Sequence, residues 1–131
     1  MTEDELTYEI RGAIFDTYNA LGPGLLESVY KEALCYFINK RGLKVERQVS
    51  VPIVIEDHKL ATDLKLDILI EDRIIVEIKS VVEMKEVFHL QLLTYLRLSN
   101  LHRGILVNFN TADIKSSVWN KVNGYVITRR Y

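Results

Sequence analysis

Asp67 and the run Glu77-Ile78-Lys79 are the residues of this sequence best suited to chemistry. They flank a polar turn, Glu71-Asp72-Arg73, and positions 67 and 77 are equally far from Asp72. A hairpin turning there sets 67 and 77 almost opposite. Opposed residues in such a pair sit about 4.5–5.5 Å apart at Cβ. Along the second strand Glu77 and Lys79 share one face, while Ile74, Val76 and Ile78 take the other. Two carboxylates and an ammonium therefore converge in an apolar run. Burying them without balancing charge is costly. A hard divalent cation balances the carboxylates, because magnesium takes oxygen ligands and keeps several waters. Lys79 can then hold a metal-bound water or stabilise a charged phosphate. The plain alternative is a cross-strand ion pair of Asp67 or Glu77 with Lys79 on a solvated edge. Against it, the run 73–80 precedes a crossover helix, which predicts a central strand. Asp63 alternates with Lys65 and Asp67 and rivals Asp67, but lies farther from Glu77.

Gln91 and Tyr95 form a second group. They are four residues apart, so on a helix they share a face. A glutamine in an apolar helix needs hydrogen-bond partners, and a metal-bound water or a substrate phosphate supplies them. A third group is Gly24-x-x-Glu27-x-x-Tyr30. Glu27 either favours the helix N-terminus electrostatically or points into a site with Tyr30 packed against it. His89 falls on a different face from Gln91 and reads as a packing or surface residue. Three scattered His and one Cys make no zinc site.

These residues need elements to hold them. Residues 3–20 read as a helix, with Thr2 and Glu5 as a capping box and Leu6, Ile10, Ala13, Ile14 and Tyr18 as its apolar stripe. Leu21-Gly22-Pro23-Gly24 stops it. A second helix spans 25–41 and ends at Gly42. The period then changes to two over 49–55, a strand placed near an edge by Pro52. Strands follow at 60–70 and 73–80, then a helix at 84–99 that is apolar almost all round and so expected to be well buried. Residues 103–109 form a further strand. Strand, helix, strand over 73–109 is a crossover, so its two strands are expected to be parallel. Beyond Asn110 the pattern weakens to one or two short strands. The predicted fold is α/β: a mixed central sheet with helices on both faces, in the order α-α-β-β-β-α-β plus a short C-terminal tail.

At 131 residues, 48% of them hydrophobic, the chain has the size and apolar content of one domain, residues 1–131. No apolar run reaches the length of a membrane span. The start Met1-Thr2-Glu3-Asp4-Glu5 is acidic where a signal peptide is basic, so a cytoplasmic chain with no membrane partner is expected. Net charge is −1, which does not advertise nucleic acid. Two basic groups stand out, Lys40, Arg41, Lys44 and Arg47, and six basic residues over 97–131 against Asp113 alone. They either flank a polyanion or are ordinary solvated charge.

This sequence resembles the GxxExxY family, whose pattern it carries as Gly24, Glu27 and Tyr30. The likeness covers residues 5–110 or so, including Asp67-Ile68-Leu69, Ile75-Val76-Glu77-Ile78-Lys79, Gln91-Leu92-Leu93-x-Tyr95-Leu96 and Gly104-Ile105-Leu106-Val107-Asn108-Phe109. That family looks like a branch of the PD-(D/E)xK nuclease superfamily, which implies a restriction-endonuclease-like three-layer fold. The resemblance makes Asp67, Glu77 and Lys79 the core triad, Glu27 the helical acid, and Gln91 with Tyr95 a QxxxY motif. Leu66 stands where the motif has Pro, a loosely kept position. The implied activity is a metal-dependent nuclease, a hydrolase of phosphodiester bonds in DNA or RNA. Mg2+ or Mn2+ is expected on Asp67, Glu77 and the Ile78 carbonyl, with Lys79 orienting water or balancing phosphate charge. Glu27 and Gln91 support from the helices, and Tyr30 and Tyr95 stand behind them. The alternatives are a catalytically weak nucleic-acid-binding module and an interaction scaffold on the same fold. A homo-oligomer built on Trp119, Tyr125 and Tyr131 is the expectation attached to the scaffold.

Overall fold

Thr2 and Glu5 close the expected capping box at the start of α1 (Glu3–Leu21). The Glu5 N–H donates to Thr2 Oγ1 at 3.1 Å, and the Thr2 N–H donates to Glu5 Oε1 at 2.8 Å. In this computed structural model, which describes residues 1–124, α1 is followed by α2 (Glu27–Lys40). Next come β1 (Val45–Val51), β2 (Val54–Ile55), β3 (His58–Lys59), β4 (Leu64–Ile70) and β5 (Ile74–Lys79). The chain continues with α3 (Glu86–Ser99), β6 (Arg103–Asn108), a 3-10 turn (Ile114–Ser117) and β7 (Val118–Val122).

Five strands form one mixed sheet in the order β1-β4-β5-β6-β7, and β2 with β3 is a separate small hairpin. β5 is thus central, as expected from its place before the crossover helix. β5 and β6 run parallel, in register from Ile74↔Arg103 to Lys79↔Asn108. The other pairs of the sheet are antiparallel. α1 and α2 cover one face through Leu6, Ile10, Ile14, Tyr30, Leu34 and Ile38, packed on Ile68, Val76, Ile78 and Val107. α3 covers the other face, with Leu92 and Leu96 on Leu64, Leu66, Ile75 and Leu106. Three helices on two faces of a mixed sheet are the α/β architecture the sequence predicts.

Two expectations need correction. The first strand covers Val45–Val51 rather than 49–55, because Lys44 and Glu71 pin its start: each backbone N–H is held by the other residue. Pro52 then has no N–H for the ladder, and Val54–Ile55 leaves to pair with His58–Lys59. Helix α3 is only half covered. Leu92 and Leu96 are buried, yet Val87 is 58% and Leu90 52% exposed. One helix presents only a stripe to one sheet face, however apolar its remaining residues. Trp119 sits in β7, packed in the α3 layer with its ring edge-on to His89, centroids 5.0 Å apart. It packs against the fold while staying partly exposed; Tyr125 and Tyr131 lie outside the described residues. Among the described residues no helix is long and apolar enough to cross a membrane.

Candidate active site

β4 and β5 pair through Ile68↔Val76, Leu69↔Ile75 and Ile70↔Ile74. Glu71 and Asp72 turn the chain with positive φ (52° and 56°), and the Arg73 N–H donates to the Ile70 carbonyl at 3.0 Å. One further step of this register brings Asp67 opposite Glu77, as their spacing around Asp72 predicts. There the backbone ladder gives way to side chains. The Asp67 N–H donates to Glu77 Oε2 at 2.9 Å, and the Ile78 N–H donates to Asp67 Oδ2 at 3.0 Å. Each carboxylate satisfies a backbone donor of the opposite strand.

β4 also changes sides at this residue. Leu64 and Leu66 pack in the α3 layer, while Ile68 and Ile70 pack in the α1/α2 layer. β1 follows. Its pairing with β4 runs through Arg47↔Ile68 and Val49↔Leu66, and the residue between, Gln48, has φ 51°. Such a left-handed backbone costs a non-glycine residue roughly 1–2 kcal/mol. The kink exposes the Asp67 carboxylate to groups from both layers.

On the α3 side, Glu77 is 5% exposed. Burial first, and then the negative charge of Asp67, push its carboxyl up to about 8, against the opposing pull of the Asp67 N–H and of Lys79. Lys79 shares the face, and its Nζ lies 4.5 Å from the centre of the Phe88 ring on α3. Gln91 Nε2 donates to the Tyr95 hydroxyl at 3.0 Å. Tyr95 is raised by burial and then by the charges of Glu77 and Asp67, which places it within their field. Lys79, Gln91 and Tyr95 line an open pocket of about 370 Å³.

On the α2 side, Glu27 Oε2 accepts the Ser80 N–H at 3.4 Å, and Lys31 Nζ lies 3.1 Å from Asp67 Oδ1. Lys31 is a site residue that the sequence reading missed. Its one signal is that it sits four residues after Glu27, on the same helix face. Asn108 was missed too. It is buried beside Lys79 in the β5–β6 register, and its amide both donates to the Val81 carbonyl and accepts the Val81 N–H. Ser80 Oγ donates to the Leu25 carbonyl at 2.5 Å. Together these bonds fix the exit of β5. No local pattern announces them, because their partners are 27 and 55 residues away.

The structure therefore brings together Asp67, Glu77, Lys79, Gln91 and Tyr95, with Glu27 at the rim. Asp63 precedes β4, and among the described residues it makes no hydrogen bond or ion pair with the cluster. Tyr95, expected near Glu27 or Tyr30, does not pack on Tyr30, because α2 and α3 lie on opposite faces of the sheet. Tyr30 is fully buried against Phe109, rings stacked at 4.5 Å, and its hydroxyl donates to the Gly22 carbonyl and accepts the Leu25 N–H. It fixes the entry to α2 and hence the position of Glu27 and Lys31. The cross-strand pair of Asp67 with Lys79 is not formed either; the ammonium on Asp67 is that of Lys31.

Over residues 4–122 the sequence matches the family described as the PD-(D/E)XK nuclease superfamily. The chain belongs to the PD-(D/E)XK nuclease superfamily. No curated protein and no solved structure matches it. The match runs past residue 110, where the resemblance first read from the motifs stops, and takes in β7. A PD-(D/E)XK nuclease typically uses a divalent metal, and the donor set here fits one. Glu77 is buried beside the half-buried Asp67, and burial together with the charge of Asp67 drives Glu77 towards neutrality, which a cation relieves. Among the described residues no three His, Cys, Asp or Glu cluster to hold a metal. Two carboxylates supplemented by carbonyl and water oxygens suit magnesium or manganese rather than zinc.

Proposed function

We propose that the chain is a metal-dependent nuclease of the GxxExxY branch, hydrolysing phosphodiester bonds of DNA or RNA, with residues 1–131 as one nuclease-like domain. The observation that carries this reading is the interlocked Asp67–Glu77 pair between β4 and the central strand β5 of a PD-(D/E)XK fold. Asp67, Glu77 and the Ile78 carbonyl would hold Mg2+ or Mn2+. When bound, that ion supplies Lewis-acid stabilisation of phosphate charge and a more acidic water. Lys79 leaves the Phe88 ring and sets its ammonium against the charge that develops on the phosphate, or orients the attacking water. The Gln91 amide and Tyr95 hydroxyl, joined to each other, present hydrogen bonds to the phosphate from the pocket wall. Glu27 holds the Ser80 backbone, which fixes Lys79 from the far side, and Tyr30 supports Glu27 by anchoring the start of α2.

A cation-titrated cleavage assay on labelled single- and double-stranded DNA and RNA tests the proposal. Cleavage is expected with Mg2+ or Mn2+ and not with chelator. Asp67→Asn and Lys79→Ala are each expected to lower it by about 10²–10³-fold. Near-parental cleavage by either variant overturns the assignment. The net charge of −1 favours a second reading, a weak nucleic-acid-binding module, which predicts retention of labelled nucleic acid with no cleavage at any cation concentration.

A further inference from the structure

Asp67 has two carboxylate oxygens, and both have partners. Oδ2 accepts the Ile78 N–H at 3.0 Å, and Oδ1 faces the Lys31 ammonium at 3.1 Å. The backbone bond belongs to the hairpin itself and stays while β4 and β5 stay paired. Of the two oxygens, Oδ1 is the one whose partner is a side chain that can move away. A cation that takes Asp67 as a ligand through Oδ1 meets the Lys31 ammonium there. Lys31 is well placed for such an exchange. Its side chain is 16% exposed and that of Asp67 23%, so the pair is largely shielded from water, where charges act strongly on each other. Lys79 does not hold Asp67 here; its ammonium lies over the Phe88 ring.

We propose that Lys31 is the resident counter-ion of the metal site: its ammonium holds Asp67 Oδ1 until a divalent cation displaces it, so Lys31 sets how tightly the cation binds. This inference rests on the reading of Asp67 as a metal ligand. Lys31 is a positioning residue here. It keeps Asp67 aimed while no cation is present. Once a cation arrives, two positive groups compete for one oxygen. Removing the lysine charge removes that competition, and the cation then binds more tightly. A purely structural brace gives the opposite sign, because its loss would let Asp67 move and weaken binding.

The test is Mn2+ binding to the full chain, followed by the electron paramagnetic resonance signal of free Mn2+ and needing no turnover. Lys31→Gln and Lys31→Met, the second keeping the apolar stem, are expected to bind Mn2+ about tenfold tighter than the parent. Lys31→Arg keeps the charge and is expected within about twofold of the parent. Lys40→Gln removes a similar charge at the far end of α2 and is expected to change nothing. Asp67→Asn is expected to weaken binding at least tenfold. If Asp67→Asn weakens binding but neither neutral Lys31 variant tightens it, the counter-ion role is overturned and the metal site stands. If Asp67→Asn binds as the parent does, Asp67 is not a ligand, and the metal-site reading falls with the inference.

Discussion

Glu77 shows what burying one carboxylate beside another costs the chain. An unfolded glutamate titrates near 4.5, and in the fold Glu77 titrates near 8 because it is buried beside Asp67. The folded chain thus holds an extra proton between those values. The stability this gives is fully present below about pH 4.5 and is lost as pH rises towards 8. The loss is on the order of 3–5 kcal/mol. Glu77→Gln carries no such charge. Its metal-free melting temperature is expected above that of the parent at pH 8–9 and level with it near pH 4.5, while cleavage is lost. A variant less stable than the parent at pH 8 would contradict this account. Gln91 offers a second residue-scale test. Its amide is satisfied by the Tyr95 hydroxyl at the wall of the pocket rather than by backbone. Gln91→Leu is expected to keep or raise the melting temperature and to lower cleavage at least tenfold. Lost stability with activity retained would make Gln91 a structural hydrogen-bonding residue.

At the scale of elements, the site depends on β1 and β4 bending together. Gln48 takes a left-handed backbone opposite Asp67, and β4 sends Leu66 and Ile68 into different layers. An ordinary strand position favours a β-branched residue. This one should not, because φ near 51° crowds any Cβ and a branched one most. Gln48→Val is expected to destabilise by about 1–2 kcal/mol, and Gln48→Gly to be neutral or stabilising. Thermal melts giving the order Gly, Gln, Val support the kink; a Val variant more stable than Gln refutes it.

For the whole molecule, a cation that binds only the folded chain stabilises it by mass action. At a hundredfold excess over the dissociation constant the gain is about 2.7 kcal/mol, enough to raise the melting temperature by several degrees. Mg2+ or Mn2+ is expected to produce this rise in the parent chain and to fail in Glu77→Gln. A calorimetric scan that shows equal shifts in both would mean the ion binds elsewhere. The effect is also expected to grow with pH, since the ion replaces the proton on Glu77.

The hairpin register around Asp72, the capping box of Thr2 and Glu5, and the parallel β5–β6 pair were all legible in the sequence. They rest on local causes: turn residues, a two-residue period and the length of a crossover. The pairing of Asp67 with Glu77 follows from that register alone, and so was legible as well. What only the tertiary structure decided is which charges meet. Lys31 and Asn108 reach the site from elements far away in sequence, Ser80 is tied to the distant Leu25, and the reach of Lys31 depends on the β4–β5 ladder opening at Asp67. The same holds for α3, half exposed because a single sheet face covers only one stripe of it, and for Tyr30, whose hydroxyl finds the Gly22 carbonyl rather than the site. Periodicity and turn chemistry are properties of neighbouring residues; the balance of buried charge is a property of two layers packed on one sheet.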